Sequence, residues 1–179
     1  MSERWDKRYL KLALHVAGWS KDPSTKVGSV IVGPTNEVRS LGFNGPPRGV
    51  NDDDPDRWVR PTKYMFCEHG ERNAIFNAAR MGVSTMACTL YITSYPAKFG
   101  PCDNCCRAII QAGIARVVME PPEGDIERWK DAFQVGETML REAGVEICHV
   151  ELCKHLGYHT GVDEEGRPER TCTKCLEVF

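Results

Sequence analysis

His69 and Glu71 stand two residues apart in HGERNAI, and Cys102 and Cys105 stand three apart in GPCDNCC, some thirty residues later. Two thiolates and a neutral imidazole are a zinc ligand set, and three protein donors leave the fourth tetrahedral position open to water, as in catalytic rather than structural sites. Such a site carries no net charge, and the metal brings the pKa of its water from about 15.7 toward neutrality. Glu71, close to one ligand but not itself one, stands where a proton shuttle between that water and a substrate has to be. Neither pair is specific alone. PCxxC also describes a redox pair, half of a closed zinc site or an ordinary helix start, and HxE is more often a core histidine beside a surface carboxylate. Found together, each opening a helix, they point to one zinc site with a vacant position.

The elements that must hold these residues follow from the hydrophobic pattern. Residues 3–18 place Trp5, Tyr9, Leu12 and Val16 at helical spacing, with Ser2 available as the cap. Strands are predicted over 26–32 and 37–43, joined by a tight turn at Gly33, Pro34, Thr35 and Asn36. Residues 44–63 are rich in Gly, Pro and Asp without an apolar period, which predicts a long loop, and long loops in compact domains tend to be functional. A helix over 69–81 turns Ala74, Ile75, Ala78 and Ala79 inward and stops at Gly82. After the strand ACTLYITS, Pro101 suits the first turn of a helix to about Ala112, with Gly113 beyond its end. Cys102 and Cys105 then project from one side of that first turn, where unpaired backbone N–H groups lower thiol pKa values. ARVVME is a strand, residues 126–143 carry Ile126, Trp129, Phe133 and Leu140 on one helix face, and VEICHVEL is a last strand. Helices alternating with short apolar strands imply an α/β sheet covered on both faces.

The 179 residues fit one domain over 1–151 and an appended segment, 152–179. With 41% hydrophobic and 27% charged residues and a net charge of −2, the chain shows no basic face for a polynucleotide. No apolar run approaches the roughly 18–20 residues that span a bilayer, and the first residues are unlike a secretory signal. The nine cysteines then read as thiols or metal ligands of a cytoplasmic protein rather than disulfides. Cys153, His155, Cys172 and Cys175 are candidates for a second, closed zinc site, the alternative being a flexible tail with surface thiols. Cys148 and His149 are spares, Cys148 being expected to pack in its strand; Cys67 is expected near the zinc and Cys106 in the core.

Together the His, Glu and PCxxC elements match the zinc deaminase signature. With SKDPSTKVGSVIV, GFNGPPRG and the DD that follows, the chain resembles the cytidine and deoxycytidylate deaminase superfamily, most closely its dCMP deaminases, over about residues 5–151. That resemblance implies a three-layer α/β/α fold with a five-stranded mixed sheet. It implies zinc on His69, Cys102 and Cys105, and Glu71 as general acid/base for attack at C4 of cytosine, with ammonia leaving and dUMP formed for thymidylate synthesis. Asn44 would meet the sugar hydroxyl, and backbone N–H groups at Gly70 and Glu71 the ring carbonyl. The family further implies a homo-oligomer, dimer or hexamer, with Gly45, Asn77 and Arg80 at an interface or at an effector site for dCTP or dTTP with Mg²⁺. A small nucleotide is the expected partner, with no membrane and no nucleic acid.

Two departures stand out. Gly70 replaces the alanine of many relatives, which predicts room for a substituent at C5 of the ring. YPAKFG lengthens the connection from the strand to the Pro-Cys pair and is expected to bring Tyr95, Lys98 and Phe99 to the mouth of the site. A monophosphate needs a few cationic donors, for which Arg48, Lys63, Lys98 and Arg80 are candidates. The alternatives are another cytosine nucleotide or nucleoside deaminase, a tRNA adenosine deaminase, and a zinc-stabilised binding module without catalysis. The acidic run NDDDPD would repel the phosphate backbone that the tRNA enzyme must grip. The binding module predicts a closed metal site and a dispensable Glu71.

Overall fold

The computed structural model describes residues 2–124 and 127–152, and the backbone of two strands over 158–162 and 168–172. In β1 (Lys26–Val32), Val27 and Ile31 face one side of a sheet while Val30 and Val32 face the other. The same alternation recurs in β3 (Thr89–Tyr95), with Leu90 and Ile92 opposed to Tyr91, and in β4 (Arg116–Met119), with Val117 and Met119 opposed to Val118. Each face therefore has its own core. One is closed by α1 (Glu3–Ala17) through Tyr9, Leu10 and Ala13. The other is closed by α3 (Gly70–Arg80), α4 (Asp103–Gln111) and α5 (Lys130–Glu142), which contribute Ala74, Cys106, Ile109 and Leu140. Each fully buried Leu or Ile stabilises the fold by about 2 kcal/mol.

With β2 (Val38–Phe43) and β5 (Glu146–His149) the sheet runs β2-β1-β3-β4-β5. Strand β1 is antiparallel to β2 and β3, whereas β3, β4 and β5 are parallel. This is the expected three-layer arrangement on a five-stranded mixed sheet. Two glycines let helices ride close to the sheet. A Cβ at Gly28 would lie 2.0 Å from the Ala13 carbonyl oxygen of α1, and one at Gly42 would lie 2.2 Å from the Ala74 nitrogen of α3.

Several expectations are corrected. Ser2 holds the cap position of α1 but accepts with its backbone carbonyl, from the N–H groups of Trp5 and Asp6, not with its side chain. The buried stripe of α1 also runs through Leu10, Ala13 and Ala17, leaving Trp5 exposed, and Ala79 of α3 is exposed. The segment 44–63 is not all loop: it contains a 3₁₀ turn at Pro55–Trp58 and leads into a four-residue helix, α2 (Lys63–Phe66). Pro101 precedes the cap of α4 instead of lying in its first turn, because Cys102 takes the cap position. Helix α5 begins at Lys130, after a 3₁₀ turn over Glu127–Trp129, and Ile126 lies outside the described residues. In the appended segment, β6 (Tyr158–Val162) and β7 (Pro168–Cys172) pair antiparallel in a separate two-stranded sheet. Cys153, His155 and Cys175 lie outside the described residues, and of Cys172 only its place at the end of β7 is described. Among the described residues, no helix is long and apolar enough to cross a membrane.

Candidate active site

His69 and Cys102 each occupy the N-cap position of a helix, His69 of α3 and Cys102 of α4, with extended backbone and no side-chain cap bond. Both side chains are thereby left for each other, and Cys105, in the first turn of α4, joins them. The Nδ1 atom of His69 lies 3.5 Å from Cys102 Sγ and 3.3 Å from Cys105 Sγ. All three donor atoms fall within 4.8 Å of one another. A tetrahedral zinc bonded to sulfur at about 2.3 Å and to nitrogen at about 2.05 Å separates those ligands by roughly 3.5 Å, so the donor set fits the ion in chemistry and in spacing. No other group of three or more such donors occurs among the described residues.

The helix starts favour anions here, but the two thiols respond differently. Bonds from Cys105 and His69 bring Cys102 down to about 4. The Cys102 sulfur in turn raises His69 to about 9. Cys105 is raised, by its bond to Cys102 and by burial, so the expected lowering holds for Cys102 alone. Cys102 is thus the readier thiolate, and a metal must still displace the Cys105 proton and the proton that His69, raised to about 9, carries at neutral pH.

Glu71 sits in the first turn of α3 and is 3% exposed. Burial raises its carboxyl above the usual range, against the attraction of His69. Glu71, His69 and Cys102 line one cavity together with Asn44 and Cys67. Burial also lifts the Cys67 thiol to about 11, so it stays protonated at the cavity wall. Asn44 is tied down on both sides: its Oδ1 accepts from the Val27 N–H at 2.7 Å, and its Nδ2 donates to Asp22 Oδ2 and to the Thr25 carbonyl, each at 2.9 Å. Both Nδ2 hydrogens are committed, which leaves one lone pair on Oδ1 for a ligand.

Other expected site residues lie elsewhere. Gly70 does not itself line the cavity; a Cβ there would meet the Val27 carbonyl at 3.1 Å, the Val27 side chain at 3.2 Å and Ser29 Oγ at 3.4 Å, on the β1 side. Arg48 donates to Asn77 Oδ1 at 2.7 Å, away from the cavity, and Asn77 donates to the Leu41 carbonyl. Gly45 exchanges backbone bonds with Glu68, and Arg80 is exposed at the end of α3. Tyr95 and Lys98 do not line the cavity, whereas Phe99 of the same insertion does. Lys98 instead pairs with Glu120 at 2.7 Å and Glu123 at 3.1 Å. Lys63 lines the cavity, but its ammonium is committed to Asp22 Oδ2 at 2.5 Å and Ser24 Oγ at 2.8 Å. Cys106 is buried as expected, and Cys148 packs against the α1-side core.

Of the outer wall, the sequence pointed only to Phe99. Tyr64, Trp129, Phe133 and Phe99 form a run of ring contacts, Tyr64 edge-on to Trp129 at 6.0 Å, Trp129 stacked on Phe133 at 6.5 Å and Phe133 on Phe99 at 5.5 Å. Arg60 and Arg128 also line the cavity, and neither makes an ion pair with a described residue. Arg128 lies over the rings of Trp129 and Tyr64, at 5.1 and 5.8 Å. A guanidinium packed on ring faces keeps its in-plane N–H donors available. Helical spacing had marked Trp129 and Phe133 as one face, but not what that face meets.

A family model described as the cytidine and deoxycytidylate deaminase zinc-binding region matches residues 3–120. A protein of Aliivibrio fischeri, named an uncharacterized deaminase in the luxG 3' region, is 41% identical over 153 residues, 85% of this chain and 97% of that one. Human deoxycytidylate deaminase is 35% identical over 120 residues, 64% of this chain and 63% of that one, so the chain spans slightly under two thirds of the human protein. Among solved structures, the dCMP deaminase of cyanophage S-TIM5 in complex with dCMP and dUMP is similar with a TM-score of 0.65 at 27% identity, over 82% of this chain and 97% of that one.

Proposed function

We infer, from the premise that this chain belongs to the cytidine and deoxycytidylate deaminase family, that it hydrolyses dCMP to dUMP and ammonia. The observation that carries this is the convergence of His69, Cys102 and Cys105 beside buried Glu71, on the wall of a cavity that also bears two arginines without ion-pair partners among the described residues. His69, Cys102 and Cys105 would hold zinc, which when bound supplies hydroxide at neutral pH by acidifying water. The carboxylate of Glu71 takes a proton from water and places it on ring N3, then takes the proton of the new C4 hydroxyl and delivers it to the 4-amino nitrogen as that leaves. Water thus adds across the N3–C4 bond, the bond from C4 to the exocyclic nitrogen breaks, ammonia departs, and C4 keeps the oxygen as a carbonyl. The remaining lone pair of Asn44 Oδ1 accepts from the sugar hydroxyl. Tyr64, Trp129, Phe133 and Phe99 exclude water around the base, which strengthens every polar contact inside.

Arg48, Lys98 and Lys63 are committed elsewhere, so Arg60 and Arg128 are the cations left to receive a 5′-phosphate. Their donors suit its oxygens. Ammonia release from dCMP and from deoxycytidine separates this from a nucleoside activity. Wild-type protein is expected to prefer dCMP. Arg60→Ala combined with Arg128→Ala is expected to reduce that preference by about 100-fold, since a hydrogen bond to a charged group contributes about 1.5 kcal/mol and each arginine supplies one. A preference unchanged in the double variant would overturn the assignment. The same assay with dCTP, dTTP and Mg²⁺ tests the regulation that the family resemblance implies.

A further inference from the structure

The insertion at 95–100 is bound to the segment that follows β4. Lys98 and Glu123 exchange backbone hydrogen bonds at 2.8 and 3.0 Å, an isolated antiparallel bridge. The Lys98 ammonium then reaches Glu123 and the buried Glu120, whose carboxylate also accepts from the hydroxyl of buried Thr93 at 3.2 Å. Ser94 Oγ ties the turn internally, donating to the Ala97 carbonyl at 2.9 Å and accepting from the Phe99 N–H at 3.2 Å. One residue beyond the ammonium, Phe99 stacks on Phe133, and Phe133 on Trp129.

A second, solvent-open groove, lined by Met119, Gln134, Leu140 and Ile147 among others, shares Gly100 and Phe133 with the first cavity. Half-buried between these two openings, Phe133 lacks the all-round packing that fixes a core side chain and leans on the rings stacked against it, Phe99 and Trp129. Its position has to be set from its ends.

We propose that Lys98 is a positioning residue: held between Glu120 and Glu123, it pins the inserted turn and so fixes the Phe99–Phe133–Trp129 wall against which the substrate packs. This rests on reading the first cavity as the substrate site. Lys98 does not touch substrate, so its loss degrades binding of the base more than the proton transfers at Glu71.

The test compares wild type, Lys98→Met, Lys98→Arg and the milder Glu123→Gln, which removes the more exposed partner. In Lys98→Met, KM for dCMP is expected to rise about tenfold with kcat held within about twofold and zinc content unchanged. Lys98→Arg restores KM, and Glu123→Gln shifts it in the same direction by less. An unchanged KM in Lys98→Met, or a fall in kcat at constant KM, overturns the proposal. Amide hydrogen exchange on the same proteins needs no substrate: Lys98→Met is expected to quicken exchange over both 97–100 and 129–134. Quickening confined to 97–100 would show that the pin does not reach the wall. If wild type deaminates no cytosine nucleotide while exchange follows the expected pattern, the substrate reading falls and the pin stands.

Discussion

Two carboxyl groups are withdrawn from water on opposite faces of the sheet, Asp6 in α1 and Glu71 in α3, and their pKa values move in opposite directions. Burial pushes Asp6 up, but bonds from the Arg116 guanidinium and the Tyr91 hydroxyl outweigh it and hold the carboxyl below its usual range. The geometry is close and two-pronged: Arg116 Nη1 and Nη2 reach the two oxygens at 2.8 and 3.0 Å, and the Tyr91 hydroxyl donates at 2.7 Å. Among the described residues Glu71 meets no guanidinium; it faces His69 and the Cys105 thiol, and burial prevails. Desolvation is common to both sites, and pairing decides the outcome. A buried carboxylate bonded to a guanidinium is a structural member, and one without such a bond is available to carry protons.

The largest effect that sharpens this contrast is on turnover. Glu71→Gln is expected to lower kcat for dCMP by about 10³-fold. The melting temperature and zinc content should stay near wild type, read by ammonia release, calorimetry and metal analysis; turnover within tenfold of wild type would break the contrast. Next comes stability on the other face. Asp6→Asn leaves Arg116 with only the exposed Glu146, at 3.3 Å, as its counter-charge and is expected to cost about 3 kcal/mol, lowering the melting temperature by about 8 °C while kcat is retained. A loss of kcat matching that of Glu71→Gln would deny Asp6 a purely structural role. The smallest effect is in the acid profile. Asp6 and Asp22 are both lowered, Asp22 because bonds from Lys63 and from backbone N–H groups overcome its burial. Their stabilisation is present above the unfolded value of about 3.9 and is lost as pH falls through the depressed folded values. Melting temperature measured from pH 6 down to pH 3 should therefore drop toward the acid end, less steeply in Asp6→Asn.

The metal residues were legible because local rules determine them: a helix start aims its cap side chain outward, and two such starts bearing His and PCxxC need only converge. The β1–β2 hairpin was equally legible from its turn residues. What the sequence concealed depends on direction and on distant partners. Lys63 looked like a free cation, yet its ammonium is spoken for by Asp22, forty-one positions earlier. Gly70 looked like added room, but the phase of α3 aims the missing methyl at β1. Lys98 stood in the right loop, yet two glutamates after β4 turn it from the cavity, a pairing that no local pattern announces. Asp6 fell on a helix face whose apolar spacing gave no hint of a buried ion pair, because Arg116 lies 110 residues away.

At Gly42, the strand neighbouring β1 meets α3 backbone to backbone, with the site of a hypothetical methyl 2.4 Å from the Gly70 carbonyl oxygen. That contact works as a spacer of zero thickness, setting how far the imidazole and the carboxylate stand from the sulfurs across the cleft. The tolerances of the chemistry are thus machined into a residue that never meets a reactant, and enlarging it would detune the centre without altering one reactive atom.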